Sequence, residues 1–109
     1  MPSYDQITST DAELMIAAKT VTIVDIRDAA SFTTRHICNA LHLDNSNLEK
    51  FISNADMSAP VIVYCYHGNM SQSAASFLAG RGFDEVYSLI GGFSGWAVQY
   101  PDTCESGPN

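Results

Sequence analysis

Three short, nearly uninterrupted apolar runs limit the folds open to this chain: VTIVDI at 21–26, VIVYC at 61–65 and EVYSLI at 85–90. In the first two, β-branched and aliphatic residues fill both alternating faces, which suits strands covered on both sides in a parallel sheet. Weaker strand signals lie at 4–7 and 40–43. The intervening segments carry helical signals. Thr10-Asp-Ala-Glu13 reads as a capping box opening a helix through about Ala18. Asp28 is placed to cap a short helix through about Thr34. Asn45 or Ser46 precedes Leu48, Phe51 and Ile52, whose i, i+3, i+4 spacing makes one apolar face. Residues 71–80 carry Ala74, Ala75, Phe77 and Leu78 on one side, with Gly80 and Gly82 as stops. A last helix begins near Phe93, carries Trp96 in the core and ends before Pro101.

Strands alternating with helices predict an α/β domain with a mostly parallel central sheet flanked by helices on both faces. At 109 residues the chain forms one domain over residues 1–100, large enough for a core without staples. PDTCESGPN at 101–109 is expected to be a frayed, flexible tail. No apolar run approaches 18 residues, and the acidic start MPSYDQITSTDAE lacks a secretory pattern, so a cytoplasmic location is expected.

Charge removes one function class. The net charge is −7, and Lys19, Arg27, Arg35, Lys50 and Arg81 are the only Lys and Arg residues. A nucleic-acid partner would need a basic stripe, which is missing. A small anionic substrate would meet a repulsive overall field, so its site must be made locally. The three cysteines, Cys38, Cys65 and Cys104, form no CxxC pair and in a reducing compartment are free thiols. His36, Cys38 and His42 lie close in sequence but lack a matched second pair, so no metal is expected.

Cys65 ends a strand-like run, and the loop YHGNMS (66–71) leads straight into a helix. Ligands of open parallel sheets sit at such carboxyl ends of strands. The amides of a tight loop can converge on a sulfur anion, and the following helix adds its positive end. Gly68 and Asn69 accept the positive φ that a cradle needs. A cysteine in an apolar strand is ordinarily an inert core residue, so the residues alone leave both readings standing.

Three ordered blocks break that tie: VDIRDAASFTTRHICNALHL (24–43), CYHGNMSQSAA (65–75) and LIGGFSGW (89–96). Together they resemble the single-domain rhodaneses, with an Asp-x-Arg segment followed by a His-Ile motif, the active-site loop, and a closing Gly-Gly…Trp motif. The resemblance implies a rhodanese-like fold and a sulfurtransferase without metal or organic cofactor. Cys65 would be the nucleophile, taking the outer sulfur of a donor such as thiosulfate as a persulfide. The acceptor would be cyanide, a small thiol or a thioredoxin-like dithiol protein. The backbone of Tyr66, His67, Gly68, Asn69, Met70 and Ser71 would hold the persulfide and the departing anion. Asp25, Arg27 and His36 would support the neighbouring segments, with direct contact of Arg27 to an anionic substrate as the alternative. His67 is read as a mainly solvent-facing loop residue.

Two other functions stay open. A rhodanese-like module can bind partners without turnover. The same cradle also serves phosphatases that use Cys, five residues, then Arg; here position 71 is Ser. The chain departs from the family at Gln72, where relatives often carry Lys or Arg in or just after the loop, and at Arg35 and Asn39, where many have glycine. Without a basic loop residue, thiosulfate is expected to bind weakly and in a salt-dependent way.

Overall fold

The computed structural model describes residues 3–18 and 21–107. Five strands form one sheet: β1 (Asp5–Ile7), β2 (Thr22–Asp25), β4 (Leu41–His42), β5 (Val61–Tyr64) and β6 (Val86–Leu89). Their order is β1-β6-β5-β2-β4, and every pairing within the sheet is parallel. A separate two-residue pair joins β3 (His36–Ile37) antiparallel to β7 (Cys104–Glu105).

Alternation along β5 shows why the apolar runs are continuous. Ile62 and Tyr64 point into one core with Phe32, Phe93 and Trp96. Val61 and Val63 point into the other with Ile52, Ala75, Leu78 and Phe83. All four β5 residues are buried. The first core is covered by α1 (Ser9–Ala17), α2 (Ala29–Thr34) and α5 (Gly92–Gln99), the second by α3 (Leu48–Asn54) and α4 (Met70–Gly80). The α/β architecture with helices on both faces is therefore as the sequence predicts. Asp25 of β2 lies in register with Tyr64 of β5, so the segments leaving these adjacent strands emerge side by side, with Arg27 next to the loop after Cys65.

Local details differ from expectation. Thr8, not Thr10, caps α1, its Oγ1 accepting the Asp11 N–H at 3.2 Å. Asp28 caps α2 as predicted. Asn45 and Ser46 lie before the cap of α3, which is Asn47. Asp44 Oδ1 accepts from both the amide and the hydroxyl of Ser46, forming the turn that delays the helix.

The expected frayed tail instead turns through a 3-10 helix at Pro101–Thr103 and adds β7 to β3. Trp96 Nε1–H donates to Thr103 Oγ1 at 2.8 Å, and the Cys38 N–H donates to the Thr103 carbonyl at 2.8 Å. The Gly107 N–H reaches the Thr33 carbonyl at 2.7 Å. Residues 108 and 109 lie outside the described residues. Among the described residues no helix is long and apolar enough to cross a membrane.

Candidate active site

Cys65 follows β5 directly and is 5% exposed. The loop after it folds the chain back so that the start of α4 faces the sulfur. Gly68 makes the reversal at φ +94°, a region costly for residues with a Cβ. Its N–H donates to Cys65 Sγ at 3.2 Å, and the Ser71 N–H does so at 3.3 Å. The Ser71 hydroxyl lies 3.4 Å from the same sulfur. Burial pushes the Cys65 thiol up, but the Ser71 hydroxyl and the N–H groups of Ser71, Gly68 and His67 outweigh it. The net effect holds the thiol below its ordinary 9.0. These donors favour the anionic form of the sulfur.

The start of α5 fixes the first two peptides of the loop, including the one that carries the His67 N–H. The Phe93 N–H donates to the Cys65 carbonyl at 2.8 Å and the Ser94 N–H to the Tyr66 carbonyl at 3.0 Å. Close approach is possible because Gly92 has no side chain: a Cβ there would sit 2.6 Å from the Tyr66 carbonyl carbon and oxygen. A second clamp acts from α4, where Gln72 Nε2–H donates to the Gly68 carbonyl at 3.0 Å. The Tyr4 hydroxyl in turn donates to Gln72 Oε1 at 3.0 Å. Gln72, noted in the sequence for the charge it lacks, thus holds the loop by hydrogen bonds.

Asp25 and Arg27 form a buried fork beside the loop. Arg27 Nη2 and Nε reach Asp25 Oδ2 at 2.8 and 3.1 Å, and Nη2 also donates to the Arg35 carbonyl at 2.6 Å. Burial pulls the Arg27 pKa down, but the hydrogen bond and charge of Asp25 raise it overall. The guanidinium lies 4.2 Å from the centroid of the Phe93 ring and 5.1 Å from that of Tyr66, so it supports the underside of the cradle. His36, 1% exposed, stacks on Phe32 and places Nδ1 2.8 Å from the Phe32 carbonyl. Its Nε2 faces Glu105 Oε2 at 3.1 Å. His36 therefore sits between α2 and β7 and away from the sulfur's own partners.

The side chains of Tyr66, His67, Asn69 and Met70 are exposed, and His67 Nδ1 lies 3.3 Å from Ser94 Oγ. His42 turns to the Arg27 carbonyl at 2.6 Å. Burial, the largest cause in each case, raises the pKa of Cys38 and of Cys104, opposite to Cys65. Of the remaining cations, Lys50 is exposed on α3. Arg35 donates to the Pro101 carbonyl, and Arg81 pairs with Glu49 at the far end of α4. Lys19 lies outside the described residues.

Sequence reasoning passed over the Ser71 hydroxyl, Ser88, Gly92 and the amides of Phe93 and Ser94. The LIGGFSGW block contained the signal: two adjacent glycines just before a helix mark a close backbone approach.

The sequence profile of the Rhodanese-like domain family matches residues 8–99. The thiosulfate sulfurtransferase GlpE of Ectopseudomonas mendocina (strain ymp) is 56% identical over 85 residues, 78% of each chain. The protein of the same name in Pseudomonas entomophila (strain L48) is 48% identical over 99 residues, 91% of each chain. Among solved structures, a rhodanese-related protein from Thermoplasma volcanium matches with a TM-score of 0.73 at 27% identity, covering 89% of this chain and 94% of that one.

Proposed function

The chain belongs to the rhodanese-like domain family, and we propose that it is a thiosulfate sulfurtransferase working through a persulfide on Cys65. The Cys65 thiolate attacks the outer sulfur of thiosulfate. The sulfur–sulfur bond of the donor breaks, sulfite leaves with the bonding pair, and Cys65 keeps the second sulfur. A thiophilic acceptor then attacks that outer sulfur, and Cys65 leaves as a thiolate again. Cyanide serves in the test tube; a small thiol or a thioredoxin-like dithiol protein serves in the cytoplasm. The two displacements balance without metal or organic cofactor.

One observation carries the reading: Cys65 Sγ accepts from the N–H groups of both Gly68 and Ser71, at 3.2 and 3.3 Å. An inert core cysteine has no need of two converging amides. The same donors serve an anionic sulfur before attack and the added sulfur after it. Names of relatives at 48–56% identity support thiosulfate as the donor. The phosphatase alternative has no comparable support, since Ser71 stands where the phosphate-clamping Arg would be needed, and its amide is already on the sulfur.

Thiocyanate formation from thiosulfate and cyanide tests this. Wild type is expected to turn over, and Cys65→Ser to fall by about a thousandfold or more. Unchanged turnover in folded Cys65→Ser would overturn the proposal.

A further inference from the structure

Behind the sulfur lies a short chain of hydroxyls that amide donation does not require. Ser71 Oγ is 3.4 Å from Cys65 Sγ and 2.8 Å from Ser88 Oγ. Both serines are 0% exposed. Ser88 comes from β6, where it shares the α4 side of the sheet with Val86, two residues before it. Among the described residues, Ser71 Oγ is the one hydrogen-bond partner of the Ser88 hydroxyl. The chain therefore ends at Ser88 and has no route onward for a proton.

That dead end makes the two states of the sulfur unequal. With Cys65 ionised, Ser88 donates to Ser71 Oγ and Ser71 donates to the sulfur anion. Each hydroxyl proton then has an acceptor. With Cys65 protonated, one arrangement has the thiol donating to Ser71 and Ser71 to Ser88, which leaves the Ser88 proton without a partner. The other keeps the chain's direction but ends it on a neutral sulfur, a weak acceptor. Either way the protonated state has the poorer chain, and buried donors are costly to leave unpaired.

We infer that Ser88 is a positioning residue for sulfur transfer: by donating to Ser71 Oγ it turns the Ser71 proton onto Cys65 Sγ and favours the thiolate. The inference rests on the persulfide reading only for its catalytic consequence. In the first displacement Cys65 is the nucleophile, and in the second it is the leaving group on which charge develops. A less basic thiolate attacks somewhat more slowly but leaves faster. Ser88 therefore raises the thiolate fraction for the first displacement and improves the leaving group in the hand-over to the acceptor.

The test is the pH profile of iodoacetamide alkylation at Cys65, resolved by peptide mass spectrometry, for wild type and Ser88→Ala with matched circular dichroism. The midpoint is expected to rise by about half a pH unit in Ser88→Ala, with the high-pH rate undiminished. In a Ser71→Ala background, Ser88→Ala should add no shift, because its effect passes through Ser71. If Ser88→Ala does not fold, Ser88→Cys, a weaker donor of similar size, should shift the midpoint the same way by less. An unmoved midpoint in the folded variant, or an equal shift without Ser71, overturns the inference. Alkylation needs no thiosulfate, so that failure would leave sulfur transfer untouched. A wild type that takes up no sulfur would instead overturn the proposed function while leaving the alkylation result intact.

Discussion

The Phe93 N–H meets the Cys65 carbonyl at 2.8 Å, joining the start of α5 to the end of β5. Because a trans peptide places its carbonyl and N–H on opposite sides, this bond governs where the next amide faces. The Tyr66 carbonyl is held in the same way by the Ser94 N–H at 3.0 Å, and the His67 N–H on the far side of that peptide acts to lower the Cys65 pKa. The anion site is thus a product of two helices. α4 supplies an amide to the sulfur, while α5 draws the loop's carbonyls away from it.

Gly92 should therefore be a sensitive position. Its φ is +58°, and a Cβ would press on the Tyr66 carbonyl group at 2.6 Å and on the Cys65 carbonyl oxygen at 2.7 Å. Gly92→Ala is expected to cost more than about 2 kcal/mol and to lower turnover. Gly95, in the same helix, has nothing within 4 Å of a built Cβ, so Gly95→Ala should be neutral or stabilise by about 0.5–1 kcal/mol. Urea titrations of both variants check the contrast; equal effects would refute it.

Asp25 and Arg27 give a different signature. Their side chains are 0% and 3% exposed, and removing one partner of a buried pair typically costs about 3–5 kcal/mol. Asp25→Asn should approach that figure. Arg27→Lys keeps the charge but loses the fork, so it should destabilise while leaving turnover per folded molecule within about tenfold. A stable Arg27→Lys protein without turnover would assign Arg27 to the substrate.

The lowered thiol links stability to pH. Folded Cys65 titrates below 9.0, its unperturbed value, so between the two values the unfolded chain holds the extra proton. Its contribution is full above 9.0 and fades as pH falls through the folded value. Cys38 and Cys104 are raised, so they remove stability only as pH climbs past 9.0. The stability of wild type relative to Cys65→Ser should increase as pH approaches 9.0 from below. A flat difference in denaturant midpoints across that range would contradict it.

Donor affinity should respond to salt. The loop 66–71 has no Lys or Arg, and the net charge is −7. Raising ionic strength screens the repulsion felt by thiosulfate over about 8–10 Å, so KM should fall. A KM that rises with salt would point instead to an attractive cation at the site.

The apolar runs announced the sheet because its strands are covered on both faces: Ile62 and Tyr64 serve one core, Val61 and Val63 the other. Cys65 was legible as a candidate because a thiol at a strand end before a glycine-containing loop is a local pattern, although that pattern alone left the inert reading open. What determines its reactivity was less so. Ser88 looks like one more residue of a buried strand, and its link to Ser71 spans 17 positions. Gly92 acts on Tyr66 from another segment. The β3–β7 pair was missed because two-residue strands carry no periodicity, and it depends on bonds such as Trp96 to Thr103. Long-range hydrogen bonds leave no mark in a local pattern.

Intact mass after exposure to thiosulfate tests the central claim most directly, that the Cys65 sulfur can accept and hold a second sulfur. The account predicts a gain of one sulfur atom, located on the Cys65 peptide, lost on reduction and absent in Cys65→Ser. A folded wild type with no gain, or a gain residing on Cys38 or Cys104, would contradict it.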